Sequence, residues 1–485
     1  MKRLLVLAIM AAFILGTVGM AQAVEIQAKG TWRVHFNYLK NADFNNDVKV
    51  DKFQAMQRVR TQFEFIASEN LKGVLHLEIG NVAWGRTQGA EGRANIGPNS
   101  GGALNADGVN IATKNAFIQF NVPGTAAAVK AGIQGFALPS TYGSHILSAD
   151  VAALAAIVPF NEMMGLTVAW ARPYDVTQGE LVDHKWNDEV DVFAAVLPIA
   201  MDGVTLNPFA VYARWGKDYL NHRFGGASAV PAAPVPGVDN PFKNANQWFG
   251  GVNFTVDMLD PIVFFGDFNY GRVNLGDNMK ARGFIADLAV QYRMPMLTPE
   301  LFFLYESGEG SGYTNEDGRI NGKRMPTIGT DGTSWAPTAL GMTGSAFGGG
   351  TDAILRSFMF DLATDTIGDN PAARIDQYWA TNGTLGMWAL GAKLGDISFI
   401  DRLSHDVIFM FAKGTNNTAN RQLFTKDDKY YEVTFDSNYQ IYENLAARLE
   451  LGWGKLDLDN LGTTTRSNLA KDDAWKAAAG FIYRF

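Results

Sequence analysis

The fold is decided at the end of the chain, by residues 475–485 with the sequence WKAAAGFIYRF. Every second side chain from Trp475 to Phe485 is aromatic or alanine, and both charged residues, Lys476 and Arg484, lie at the intervening positions. Successive side chains of a β-strand point to opposite faces, so this segment predicts a strand with one apolar face. That face needs a covering, either a protein core or lipid.

The same period of two recurs along the chain. Residues 26–38 alternate apolar side chains with polar ones, and residues 284–293 and 445–454 repeat the pattern. The segments run about ten residues or more, which is the length that a tilted strand needs to cross a bilayer. Their apolar faces often end in aromatic side chains, such as Trp32, Tyr292 and Trp453, as interfacial girdles do. This favours membrane-spanning strands over a soluble β-sandwich, which also alternates.

The connections alternate between short and long. Short turns on one side and long loops on the other are typical of outer-membrane barrels. The short connections include residues 68–70, 123–125, 201–203, 259–261 and 295–299, and the long ones include 84–108, 216–245 and 307–384. The last of these is too long for a structureless connection, and we expect a segment that folds inward, a segment that covers a contact between subunits, or a plain surface loop.

Counting strand directions from both ends predicts the strand number. The two counts agree only if residues 150–158 and 162–172 are separate strands. Residues 151–171 are apolar enough to suggest a spanning helix, but Pro159 in their middle removes a backbone donor and favours a hairpin. Because no strand lies in hydrocarbon with an unpaired edge, the first and last strands must meet. The predicted fold is an all-β, transmembrane antiparallel β-barrel of 18 strands, with 16 as the alternative and one very long extracellular loop.

The N-terminus predicts export. Lys2 and Arg3 precede an apolar run, and Ala21-Gln22-Ala23 has the form of a cleavage site. Residues 1–23 are therefore predicted to be a signal peptide and residues 24–485 the barrel domain. A membrane anchor is the alternative, but the run is short for a spanning helix.

Composition excludes several classes of function. The net charge of −8 argues against nucleic acid. The chain has no Cys, and its six His residues show no metal-ligand spacing. No nucleophile elbow, phosphate-binding loop or dinucleotide fingerprint occurs. We therefore expect no enzyme, no metal and no cofactor.

Three motifs carry a resemblance to a known family. They are VEIQAKG at residues 24–30, VKAGIQG at 129–135 and GFIYRF at 480–485. The chain resembles the general porins of Gram-negative bacteria, and most of all the homotrimeric porins of sulfate-reducing bacteria. The resemblance implies an outer-membrane homotrimer of separate water-filled pores, each narrowed by an inward loop after the fifth strand, here residues 136–149. That loop is short and nearly free of acids compared with the usual pattern.

The aromatic C-terminus resembles the assembly signal of outer-membrane proteins, carried here by Phe481, Tyr483 and Phe485. The partners implied are the barrel assembly machinery, outer-membrane lipid and lipopolysaccharide, and small hydrophilic solutes.

The wet faces of the early strands are rich in cations. A large barrel holds water, and charges lining its narrow part select the solute. The predicted basic wall comprises Arg33, Arg58, Arg60, Lys72, Lys114 and Lys130, with His35 on the same face as Arg33. Opposing acids would set a transverse field, and the candidates are Asp150, Asp352 and Asp361. The alternative is that these residues are scattered over the wet face at different heights.

Three functions remain open at this point. The favoured one is a water-filled channel for passive diffusion of small hydrophilic solutes and ions. The second is a channel selective for a sugar or an anion. The third, of another class, is a non-conducting structural or adhesive barrel.

Overall fold

The computed structural model describes residues 24–41, 51–85, 111–175, 187–224, 243–274, 279–311, 320–330, 386–419, 424–457 and 472–485. Within them the chain forms one closed antiparallel barrel of eighteen strands. The strands are β1 (Glu25–Lys40), β2 (Lys52–Ser68), β3 (Leu71–Ala83), β4 (Ile111–Asn121), β5 (Ala128–Ala137), β6 (Leu147–Pro159), β7 (Gly165–Asp175), β8 (Glu189–Val196, continued by Ile199–Met201), β9 (Val204–Trp215), β10 (Ala245–Leu259), β11 (Ile262–Asn274), β12 (Met279–Tyr292), β13 (Thr298–Glu306), β14 (Met387–Ile400), β15 (Leu403–Gly414), β16 (Lys429–Tyr442), β17 (Leu445–Asp457) and β18 (Asp473–Arg484). A helix, α1 (Lys217–Phe224), follows β9.

The structure confirms the predicted number of eighteen strands and not the alternative of sixteen. Both pieces of β8 pair with β9, so they form one strand that is interrupted at Pro198. The predicted hairpin is also confirmed, since β6 and β7 pair antiparallel as far as Pro159 and Gly165. In its turn the Asn161 side-chain oxygen accepts hydrogen bonds from the backbone N–H groups of Met163 and Met164, at 2.8 and 2.9 Å.

The first and last strands close the barrel. β1 pairs antiparallel with β18, from Thr31 opposite Arg484 to Lys40 opposite Trp475. Phe485 extends the seam, because the Gly30 N–H donates to its carbonyl oxygen at 2.7 Å. A Cβ atom at Gly30 would collide with the Arg60 backbone carbonyl oxygen and lie 2.7 Å from Cζ of the Phe485 ring, so the neighbouring strand leaves no room for a side chain there. Closure leaves no sheet edge to face lipid.

The exterior of the barrel is an apolar belt. Side chains such as Trp32, Leu154, Phe268 and Phe481 point outward and are 47, 47, 49 and 48% exposed. The residues between them point inward, as the alternation in residues 26–38, 284–293 and 445–454 predicted. A closed barrel with this exterior spans the bacterial outer membrane. No helix among the described residues is long and apolar enough to cross a membrane.

The two ends of the barrel differ. One end carries the short predicted turns, such as residues 69–70 between β2 and β3 and residues 202–203 between β8 and β9. The chain termini of the barrel, Glu25 and Arg484, lie at this end, which is the periplasmic one in barrels of this kind. Most connections at the opposite, extracellular end are much longer.

An apolar core fills part of the lumen. The inner faces of β7, β8 and β9 carry small and branched apolar side chains, among them Ala171, Val192 and Val211. Water would solvate such a wall poorly, so the fold covers it. Two segments of the chain, described next, pack against this side of the barrel.

Candidate functional site

The first covering segment is the inner loop, residues 138–146. It leaves β5 and returns to β6 where Ala137 and Ser148 pair, and Leu138 and Ile146 become buried. This is the inward loop after the fifth strand that the family resemblance implied over residues 136–149. The structure confirms its inward course.

Polar contacts fasten the inner loop to the far wall. The Thr141 N–H donates to the Asp267 carboxylate at 2.7 Å, and Asn253 donates to the Thr141 hydroxyl at 3.2 Å. His145 Nδ1 lies 3.6 Å from the Glu306 carboxylate. Asn253, Asp267 and Glu306 belong to β10, β11 and β13, so the loop reaches across from β5 and β6 to the opposite strands.

Tyr142 is the central anchor of the inner loop. Its hydroxyl donates to the Glu300 carboxylate at 2.5 Å, and its ring meets Phe265 and Phe302 edge-on with centroids 6.1 and 6.0 Å apart. Burial, together with the Glu300 charge, raises the pKa of the Tyr142 phenol above its usual value. The phenol therefore stays protonated and keeps donating.

The second covering segment is the crossing segment, residues 320–330. It begins parallel to β12, with Asn321 opposite Lys280, and ends parallel to the start of β6, with Gly329 opposite Leu147. Between these points the Ile328 N–H donates to the Ile146 carbonyl at 3.0 Å, so the crossing segment packs on the inner loop. It belongs to the predicted long loop 307–384, and for these residues the inward alternative is confirmed.

A buried ion pair holds the crossing segment in place. The Glu309 carboxylate accepts hydrogen bonds from the Lys323 N–H at 2.7 Å and from the Arg324 N–H and Nε at 3.2 and 3.3 Å. Both charged side chains are almost completely buried. The sequence contains no motif that predicts this pair.

The predicted basic wall faces inward on β1 to β3. Arg33 and Arg58 are directly opposite each other in the β1–β2 pairing. Arg60 forms an ion pair with Glu78 on β3. Glu78 was not among the predicted site residues, although it occupies an inward position of its strand.

A second carboxylate also lies within the basic wall. Glu64 on β2 accepts from Lys29 at 2.5 Å and from Lys72 at 2.9 Å. Cations still outnumber carboxylates on the inner faces of β1 to β5. The inward cations there are Lys29, Arg33, Arg58, Arg60, Lys72 and Lys130, and the inward carboxylates are Glu25, Glu64 and Glu78.

Lys130 completes a short polar row near the periplasmic end. Lys72 on β3, Gln119 on β4 and Lys130 on β5 are directly opposite one another in successive strand pairings. The Lys130 ammonium lies 4.1 Å from the centroid of the Phe117 ring. No carboxylate among the described residues forms an ion pair with it.

Asp150 alternates with Ala149 and Val151, which pack inward, and shares the outward face of β6 with the exposed Leu154, so strand alternation does not place it on the inner wall. It forms an ion pair with Lys114 and accepts a hydrogen bond from Asn115 at 2.8 Å. Lys114 is on β4 and Asp150 on β6, only two strands away, so this acid neutralises a predicted wall cation and is not a distant opposing charge. The other two predicted acids, Asp352 and Asp361, lie outside the described residues.

The opposing acids come from strands that the sequence analysis did not single out. Asp267, Asp287, Glu300 and Glu306 point inward from β11, β12 and β13. All four are buried, and the inner loop binds three of them directly. The alternation in residues 284–293 assigned Asp287 to the wet face, but nothing in the sequence related it to the inner loop.

The predicted assembly-signal residues lie on the outside of β18 and beyond its end. Phe481, Tyr483 and Phe485 are all exposed on the lipid face. The Tyr483 and Phe485 rings stack with centroids 5.5 Å apart. This aromatic edge is accessible from the membrane at the periplasmic end.

A closed barrel of eighteen antiparallel strands, with an apolar exterior, a charged lumen and an inner loop, has the architecture of an outer-membrane porin. No protein-family model matches the sequence. No curated protein matches it either.

The chain is similar in fold to solved outer-membrane structures. OccK11 (OpdR) of Pseudomonas aeruginosa is 9% identical, with 95% of this chain and 96% of that chain covered and a TM-score of 0.47. OccAB4 of Acinetobacter baumannii is 11% identical, with coverages of 96 and 100% and a TM-score of 0.49. The outer membrane protein OprD of Pseudomonas aeruginosa is 11% identical, with coverages of 94 and 94% and a TM-score of 0.48. At these values the likenesses assign the chain neither a family nor a substrate.

Proposed function

We propose that this protein is a water-filled outer-membrane channel for passive diffusion of small hydrophilic solutes and ions. The observation that carries the proposal is the exposure of charged side chains inside the closed barrel. Lys29, Arg60 and Lys72 point into the lumen, yet their side chains are 63, 29 and 34% exposed. An inward side chain can be exposed only where the barrel holds water.

The arrangement of charge supports a preference for anions. The inner loop covers buried acids on β11 to β13, whereas the inner faces of β1 to β5 keep more cations than carboxylates. A net positive wall raises the local concentration of anions and lowers that of cations.

Liposome swelling with neutral solutes of graded size tests the diffusion function. A general pore admits small sugars and amino acids at rates that fall smoothly with molecular size. A rate that saturates for one solute class supports a selective channel instead. No swelling with correctly folded barrels would leave only the structural or adhesive function.

A channel selective for anions is the second candidate, and the row formed by Lys72, Gln119 and Lys130 favours it. Two ammonium groups flank an amide donor on three adjacent strands, which suits a carboxylate, phosphate or sulfate oxygen. Saturation of anion flux at millimolar concentration supports this candidate, whereas flux that stays linear supports general diffusion.

We also propose the homotrimer that the resemblance to porins of sulfate-reducing bacteria implies, with Phe481, Tyr483 and Phe485 recognised by the barrel assembly machinery. Unheated samples on a detergent gel should migrate as trimers and boiled samples as monomers. Replacing Phe485 with Ser should reduce the amount of barrel assembled in cells without changing the conductance of barrels that do assemble.

A further inference from the structure

Three cations stand on the outside of the barrel near the extracellular ends of β11 and β12. They are Arg272, Lys280 and Arg282, which we call the rim cluster. Their side chains are exposed, whereas the intervening Val273 and Ala281 are buried toward the lumen. The rim cluster therefore faces the membrane surroundings and not the pore.

The rim cluster sits directly above the aromatic part of the belt. Arg272 lies opposite Trp248 on one side and Arg282 on the other, and the next outward row toward the bilayer contains Tyr270 and Phe284. Aromatic side chains of this kind mark the membrane interface, so the three cations lie at the level of the lipid headgroups. A cleft of about 480 Å³ runs between these side chains, with Trp248, Asn274 and Asn321 in its lining.

Among the described residues, these cations have no acidic partner. Neither Arg272, Lys280 nor Arg282 forms an ion pair or hydrogen bond with any other residue in the described part of the chain. Arg272 and Arg282 are directly opposite each other, and like charges at opposed positions repel. The three positive charges therefore repel one another, and a bound anion would offset this repulsion.

The other side of the barrel shows a different arrangement at the same end. Lys413, Lys429 and Lys455 also point outward from β15, β16 and β17. Here Lys429 is opposite Asp457, and Lys455 is opposite Asp473. A carboxylate therefore stands opposite two of these three lysines, whereas no carboxylate stands opposite a rim cation in the described strand pairings.

We propose that the rim cluster binds the phosphate groups of lipopolysaccharide in the outer leaflet. Arginine matches phosphate oxygens in a bidentate fashion, lysine adds a point charge, and the exposed Asn321 amide supplies a further donor. The site faces lipid, so solutes in the pore do not reach it. Binding of lipopolysaccharide there is independent of channel activity. The family resemblance implied lipopolysaccharide as a partner without a binding site, and the rim cluster is the site we propose.

The test compares two triple variants of the full chain, folded in detergent. One carries Arg272→Gln, Lys280→Gln and Arg282→Gln. The matched control carries Lys413→Gln, Lys429→Gln and Lys455→Gln, which removes the same charge at the same end of the barrel. Native mass spectrometry titrates each with bisphosphorylated lipid A, dephosphorylated lipid A or inorganic phosphate, and heat-modifiable gel mobility confirms folding.

We expect the affinity for bisphosphorylated lipid A to fall about fivefold for each rim cation removed, and on the order of a hundredfold for all three. The control variant should lose much less, and dephosphorylated lipid A should bind all variants weakly and equally. Equal lipid A affinity in the rim variant and the parent would overturn the proposal. So would displacement of lipid A by millimolar inorganic phosphate, since that result would identify a site for free phosphate.

Discussion

Removing the two lysines of the periplasmic row should weaken the anion preference of the channel. The variant is Lys72→Gln with Lys130→Gln, which leaves Gln119 and the strand pairing of β3, β4 and β5 in place. Glutamine keeps a similar length and polarity, so the principal change is the loss of two positive charges from the inner wall. The substitution at Lys72 also removes an ion pair from Glu64, but Glu64 keeps Lys29 as its other partner.

Coulomb's law sets the size of the expected effect. A unit charge about 7 Å from a passing ion contributes about 0.6 kcal/mol in water. Screening at about 0.1 M salt reduces this to about 0.3 kcal/mol. The energy has opposite sign for anions and cations, so each lysine changes their permeability ratio about threefold, and both together change it about eightfold.

The reversal potential across a planar bilayer under a tenfold salt gradient measures this ratio. Lys413→Gln is the matched control, because it removes a lysine from the outside of β15 and should leave the potential unchanged. An unchanged reversal potential in the double variant would show that Lys72 and Lys130 do not line the conducting path. A shift of equal size in the control would show that the effect comes from overall charge.

Three further predictions concern the barrel seam and the two covering segments. Gly30→Val should lower the yield of heat-resistant folded barrel, because its side chain collides with the Arg60 backbone carbonyl and with the Phe485 ring. Gly73→Val, where a Cβ meets nothing within 4 Å, should fold normally. Equal yields on a heat-modifiability gel would contradict the close packing at Gly30. Tyr142→Ala should free the inner loop and raise single-channel conductance. It removes a charge-assisted hydrogen bond and two aromatic contacts that are together worth roughly 3–6 kcal/mol. Tyr142→Phe should change the conductance less, and equal conductance in both variants and the parent would refute the anchoring role. Arg324→Met should leave the Glu309 charge buried without its guanidinium partner, which destabilises the packed crossing segment by about 3–5 kcal/mol. Single-channel records of this variant should show open-channel noise. A quiet trace like that of the parent would contradict this prediction.

The barrel itself could be predicted from the sequence because its signals are local. The alternation of residues 26–38 and 475–485 depends only on the period of a strand, and the structure places each of those side chains on the predicted face. Pro159 marked the hairpin because a proline interrupts a helix whatever surrounds it. Strand direction then followed from the lengths of the connections.

The charge pairs of the lumen could not be predicted in this way. Whether Glu64 meets Lys72, or Asp150 meets Lys114, depends on the register between neighbouring strands, which alternation leaves free to slide by two residues. A shift of that size keeps every side chain on its face but changes all of its neighbours. Inward position was therefore predictable for most of these residues, with Asp150 as the exception, whereas height in the barrel was not.

The paths of the covering segments depend on contacts between residues far apart in the sequence. Tyr142 reaches Glu300 across the lumen, and the crossing segment rests on Ile146 of the inner loop. A short loop with few acids resembled the family's constriction loop only weakly. The structure shows why so few acids suffice, because the acids that anchor this loop belong to the wall opposite.

Single-channel recording in a planar bilayer tests the central claim most directly. Purified, folded barrels should insert as discrete ohmic steps whose conductance rises in proportion to the bulk salt concentration, because the ions cross the membrane through water. Folded barrels that insert without conducting would contradict the account and would show that the segments inside this barrel close it.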